Sequence, residues 1–203
     1  MLRLPKAGGC YRFALTIEIG VAMHHEQLWA PWRLAYIKGG DPAPEPRPQH
    51  PLPGADPQCF ICRAVAEDAD RENLVVARLA HSIAILNRYP YNNGHLLVAP
   101  LVHKGLPAEL EDEEHLELQH VLTRLATVLE KTMNAEGFNI GLNLGRVAGA
   151  GLPGHLHWHL VPRWNGDTNF MPVLAGVDVI PQALDALWQL LRDGLAHSPP
   201  AAP

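Results

Sequence analysis

The sequence predicts an α+β domain: a five-stranded antiparallel sheet with one long helix and a second helix near the C-terminus. Three observations lead there. Short apolar runs bounded by turn residues recur at 74–78, 82–86, 95–99, 138–143 and 155–162. One stretch, from Pro107 to about Asn134, changes to helical spacing, with Leu110, Leu118, Val121, Leu122, Leu125, Val128 and Leu129 at three- and four-residue steps. The strands are grouped rather than alternating with helices, which favours α+β over a parallel sheet.

Residues 1–22 read as an N-terminal extension. Their apolar run is interrupted by Glu18, which makes a poor secretory signal, and translation from Met23 is the plainer account. Residues 23–58 form an aromatic arm, with Trp29, Trp32 and Tyr36, followed by a Pro- and Gly-rich linker over 39–58. The globular part spans 59–180. Its first two strands, 74–78 and 82–86, are joined by a turn at Leu79-Ala80-His81, and Tyr89 to Gly94 is a turn-rich loop before the third. Pro100 stops that third strand. Glu111, Asp112, Glu113 and Glu114 suit the positive end of the long helix and read as a solvated helix start rather than a metal site. A glycine-rich loop, 145–154, precedes the fifth strand. Residues 181–203 supply a helix over Pro181–Ala196, with Pro181 in its first turn, and a tail.

At 203 residues and 47% hydrophobic the chain can bury a normal core, and no apolar run is long enough to span a bilayer. A formal charge of −5 argues against broad, sequence-independent binding to a nucleic-acid backbone, which needs a basic surface. It leaves room for a small phosphorylated substrate. Three cysteines are too few for a disulfide framework, and the expected compartment is the cytoplasm.

Cys59-Phe60-Ile61-Cys62 offers two soft ligands at zinc spacing. Alone, a CxxC is equally a redox pair or two buried thiols. A tetrahedral site needs two more ligands, and His103, after the third strand, and His155, opening the fifth, are available. On residue type Cys2His2 is the best-supplied set, and it leaves two histidines free.

Those two belong to His155-Leu156-His157-Trp158-His159-Leu160-Val161. A strand has a side-chain period of two, so its three imidazoles share one face while Leu156, Trp158 and Leu160 fill a core. An imidazole attacks phosphorus near neutral pH, giving a phosphoramidate and splitting one displacement into two. His157, flanked on both sides, is the natural nucleophile, and a backbone carbonyl would set its tautomer. Gly145, Gly149, Gly151 and Gly154 let main-chain N–H groups approach phosphate, and Asn143 adds a side-chain donor.

The pattern His-x-His-x-His followed by two apolar residues, matched at every position of 155–161, resembles the histidine triad (HIT) superfamily. The resemblance extends to Asn87, Gly94-His95, Asn143, the glycine loop and the CxxC, over about residues 59–165. It implies a nucleotide-binding α+β fold, usually a homodimer, and hydrolysis or transfer at a nucleotide α-phosphate through a nucleotidyl-histidine. By motif, His157 would be the nucleophile, and His159 would contact the phosphate or leaving group and assist proton transfer. Asn87 and His95 would contact the nucleoside, and Asn143, with Gly149 and Gly151, the phosphate. Cys59, Cys62, His103 and His155 correspond to the structural zinc ligands of zinc-bearing members; no organic cofactor is implied.

Three further segments, Leu28-Trp29-Ala30-Pro31-Trp32-Arg33, Leu86–Asn92 and Val161–Phe170, resemble bacterial HIT proteins that include diadenosine tetraphosphate (Ap4A) phosphorylases, which use phosphate as acceptor to give ADP and ATP. Many members carry Ser or Gln four residues before the first histidine; here that place is Gly151, which opens the choice of phosphate or water as acceptor. The alternatives within the class are hydrolases of dinucleoside polyphosphates, nucleoside phosphoramidates or adenylated compounds. Outside it stand a non-catalytic nucleotide- or zinc-binding protein, against which an intact His157 argues, and redox chemistry at the CxxC.

Overall fold

The structure, a computed structural model, describes residues 50–167 and 179–198. The N-terminal extension, Cys10, the aromatic arm and most of the Pro-rich linker lie outside them. The order is α1 (Phe60–Ala66), β1 (Val75–Arg78), β2 (Ser82–Leu86), β3 (Leu96–Pro100), α2 (Asp112–Met133), β4 (Gly137–Leu142), β5 (Trp158–Arg163) and α3 (Leu184–Ala196). The five strands form one sheet in the order β1-β2-β3-β5-β4, and every neighbouring pair is antiparallel.

β2, apolar after Ser82, and β3 are buried along their whole length, as befits inner strands. Their ladder runs from Ser82↔Pro100 to Leu86↔Leu96, and Asn87 N–H extends it to the His95 carbonyl at 2.8 Å. β1 starts one residue later than expected because Leu74 adopts a left-handed φ of 59°. Among the described residues β4 is an edge strand paired only with β5.

α2 lays Leu118, Val121, Leu122, Leu125, Val128 and Leu129 on β2, β3 and β5, where Leu156, Trp158 and Leu160 complete the core. The chain does not run into it as one helix from Pro107. A 3-10 turn, Pro107–Glu109, ends at Leu110, and Glu111 is extended. The acidic cluster is not uniformly solvated. Glu114 is buried; it accepts from the Glu111 N–H (2.8 Å) and pairs with Lys104 Nζ (2.6 Å), which hold its carboxyl below the usual range against the opposing effect of burial.

α3 begins at Leu184, so Pro181 precedes the helix instead of occupying its first turn. α3 packs into the same core through Leu187, Trp188, Leu191 and Leu195. Trp188 Nε1 donates to the Val75 carbonyl (2.8 Å), and the guanidinium carbons of Arg71 and Arg192 lie 5.2 and 5.6 Å from its ring. α2 and α3 approach closely at Gly194, where a Cβ would fall 2.8 Å from Thr132 and 2.9 Å from Val128. Among the described residues no helix is long and apolar enough to cross a membrane.

Candidate active site

The CxxC opens α1, a seven-residue helix that the apolar pattern alone did not reveal. The Cys59 thiol caps it by accepting from the Cys62 N–H at 3.4 Å. This turns both sulfurs toward two histidines. Cys59 Sγ lies 3.3 Å from His155 Nδ1, and Cys62 Sγ lies 3.2 Å from His103 Nδ1 and 3.4 Å from His155 Nδ1. The four ligand atoms all fall within 4.8 Å of one another. Tetrahedral zinc with ordinary bond lengths sets its sulfur and nitrogen ligands about 3.5 Å apart, so these side chains fit the ion with little movement. His155 Nε2 donates to the Pro100 carbonyl at 2.9 Å, which presents Nδ1 to the cluster. Burial pushes the Cys59 thiol up to about 11 and His155 down to about 4. Both shifts favour the neutral forms of these side chains. Among the described residues the cluster comprises the four residues named from the sequence.

The sheet ladder of the histidine strand starts only at Trp158, and the strand ends at Arg163 rather than 162. His155, Leu156 and His157 are held otherwise: His155 by the thiols and Pro100, and Leu156 by its N–H to the Lys104 carbonyl (2.6 Å). His157 Nδ1 donates to the His155 carbonyl at 2.8 Å, which fixes the proton on Nδ1 and leaves Nε2 with a bare lone pair. The His157 and His159 rings are 5.1 Å apart, edge to face.

Register explains the company His159 keeps. It lies opposite Leu97 on β3 and Gly141 on β4. His95 is two residues before Leu97 and Asn143 two after Gly141, so the pleat directs all three to one face. His95 Nε2 is 2.9 Å from His159 Nδ1, and Asn143 Nδ2 is 3.4 Å from His159 Nε2. His95 Nδ1 faces two N–H donors, Asn87 Nδ2 (3.2 Å) and the Tyr91 main chain (3.1 Å). It must accept, so His95 donates from Nε2 and His159 accepts at Nδ1. A neutral His159 then carries its proton on Nε2, which the Asn143 amide meets with its oxygen turned in. Burial, then the neighbouring imidazoles, hold His95 down at about 3; burial, then His157, holds His159 at about 4. Both are neutral at pH 7.

The sequence set Asn87 and His95 against the nucleoside. In the structure His95 is fully buried behind His159, and Asn87 bonds its ring while also accepting from the Tyr89 N–H (3.0 Å). The glycine loop folds into a 3-10 turn, Arg146–Ala148, closed by Gly149 at φ 89°, where a Cβ would lie 3.9 Å from Asn143 Nδ2. Gly151 has nothing within 4 Å of a Cβ. Sequence reasoning missed Tyr91. The sequence marks the loop by its turn residues and within the Leu86–Asn92 resemblance, with no role for this side chain, yet the ring covers His95 (centroids 4.7 Å) and His159 (5.6 Å).

A five-stranded sheet with a row of imidazoles beside a Cys2His2 cluster is the arrangement the histidine motif implied. The HIT domain family matches residues 69–166. The chain is 40% identical over 175 residues to an AP-4-A phosphorylase of Mycobacterium tuberculosis, covering 86% of each protein. It belongs to the HIT domain family. It is also 28% identical to an adenosine 5'-monophosphoramidase of Schizosaccharomyces pombe, over 68% of this chain and 92% of that one. Among solved structures it resembles a zinc-bound histidine triad family protein from Mycobacterium smegmatis, with a TM-score of 0.55 and 26% identity, over 68% of this chain and 94% of that one.

Proposed function

We propose that this protein is a nucleotidyl transferase of the Ap4A phosphorylase type, converting Ap4A and phosphate to ADP and ATP. The observation that carries the reading is the 2.8 Å bond from His157 Nδ1 to the His155 carbonyl, which leaves Nε2 as a nucleophile. The likeness to the M. tuberculosis AP-4-A phosphorylase supports the choice of substrate. His157 Nε2 attacks the α-phosphorus of one adenosine; the phosphoanhydride bond breaks and ATP departs. The His159 Nε2 proton stabilises the leaving oxygen, and His95 holds that tautomer from behind. Phosphate then attacks the adenylyl-histidine, ADP leaves, and His157 is restored. Asn143 and the main chain around Gly149 and Gly151 serve the phosphate oxygens.

Zinc held by Cys59, Cys62, His103 and His155 would cross-link α1 to the start of the histidine segment. It would steady the carbonyl that orients His157 without meeting substrate. A homodimer is part of the reading. Among the described residues nothing pairs with the outer edge of β4, and Ile140, Leu144 and Val147 are exposed on and just after it. The proposed site of action is the cytoplasm.

Gly151 favours a second reading, a hydrolase, because it offers no side-chain donor to an incoming phosphate. The test is incubation with Ap4A, with and without inorganic phosphate, and separation of the products. ADP plus ATP formed only with phosphate supports the phosphorylase. AMP plus ATP, or two ADP, without phosphate makes it a hydrolase, and no turnover of Ap4A rejects this substrate.

A further inference from the structure

Tyr91 is 59% exposed, although it sits directly on the most buried part of the site. Its main chain is anchored by the bond from its N–H to His95 Nδ1 at 3.1 Å. One face of its ring lies nearly parallel to His159 (interplanar 22°) and tilted over His95 (35°). Tyr91 thus stacks on His159, His157 meets it edge to face, and His95 and Asn143 stand at its two nitrogens. Among the described residues no other ring contact is made by Tyr91, and its side away from the two imidazoles is exposed. A cap that served only to keep water from His159 would need apolar bulk, not a flat ring with a bare side.

Resting on the proposed adenylyl transfer, we propose that Tyr91 is a specificity residue for the leaving half of the substrate. Its open face stacks the nucleobase that departs with the polyphosphate. His159 carries its donor proton toward the leaving oxygen, so the ring seated on His159 lies on the leaving side of His157. Base–aromatic stacking depends on a π face rather than on a hydrogen-bond pattern. The contact should therefore select dinucleotides over substrates with small leaving groups while tolerating changes of the distal base.

The test measures binding of Ap4A and of AMP to the full chain carrying His157→Ala, with and without Tyr91→Ala. Loss of one base stack should weaken Ap4A about tenfold or more and AMP less than about twofold. Tyr91→Phe should keep Ap4A binding within about threefold. In the His157-intact protein, Tyr91→Ala should lower kcat/KM for Ap4A more than for adenosine 5'-phosphoramidate. Equal losses for Ap4A and AMP would overturn the assignment and leave Tyr91 as a support for His159, as would no loss for either. If the His157→Ala protein binds neither nucleotide, the nucleotide reading falls and this assignment with it.

Discussion

His155 and His157 are joined through one peptide carbonyl. The ring of His155 faces two thiols at 3.3 and 3.4 Å, and its main-chain oxygen accepts the Nδ1 proton of His157 at 2.8 Å. The residue that would hold a metal therefore also fixes the tautomer of the nucleophile.

Zinc should accordingly matter for activity as well as stability. Freshly purified protein should contain stoichiometric zinc by elemental analysis. Cys62→Ser should lose it, lower the thermal midpoint by about 5 °C or more, and depress kcat more than it raises KM. Full activity in a zinc-free protein would break the link between the cluster and His157.

His157→Ala should lower kcat by at least about a thousandfold while nucleotide affinity, measured by calorimetry, changes little. Retained turnover would remove His157 from the reaction.

Gly151→Ser should fold normally, because a Cβ there meets nothing within 4 Å and the backbone is not left-handed. Stability should change by less than about 0.5 kcal/mol. The added hydroxyl should raise the ratio of phosphorolysis to hydrolysis, read from ADP against AMP. An unchanged ratio would mean that main-chain donors already serve the acceptor.

Gly194→Ala should destabilise the fold by about 1–3 kcal/mol in urea titrations, without altering KM. Its Cβ would press on Val128 and Thr132, β-branched residues of α2 with little room to yield.

Acid should weaken the fold through His95 and His159. Their folded values, about 3 and about 4, lie below the usual 6.5. Between those limits the unfolded chain binds more protons, so this contribution is complete above about pH 6.5. It is lost as pH falls toward 4 for His159 and toward 3 for His95. Each can contribute a slope approaching about 1.4 kcal/mol per pH unit. His95→Asn should flatten the decline between pH 6 and 5; an unchanged slope would mean that His95 is not buried neutral.

The inner strands and α2 were legible because their apolar spacing is simple and long enough to read. α1 was not, since seven residues carry little periodicity and its start is set by a cysteine thiol acting as cap. The start of α3 was misjudged at Pro181, where a proline compatible with a first helical turn instead precedes the helix. The row of imidazoles was visible from spacing within one strand. The His95–His159 bond spans 64 residues and depends on β5 lying beside β3, which the sequence does not state. Tyr91 escaped for the same reason: its loop position is local, while its role comes from rings on two other segments.

The central claim is that His157 carries the nucleotide. Rapid quenching of the protein with Ap4A in the absence of phosphate, followed by peptide mass spectrometry, tests it most directly. The account predicts an adenylyl group on His157, formed with release of one ATP and discharged as ADP when phosphate is added. Turnover with no adduct, or an adduct on any other residue, would contradict it.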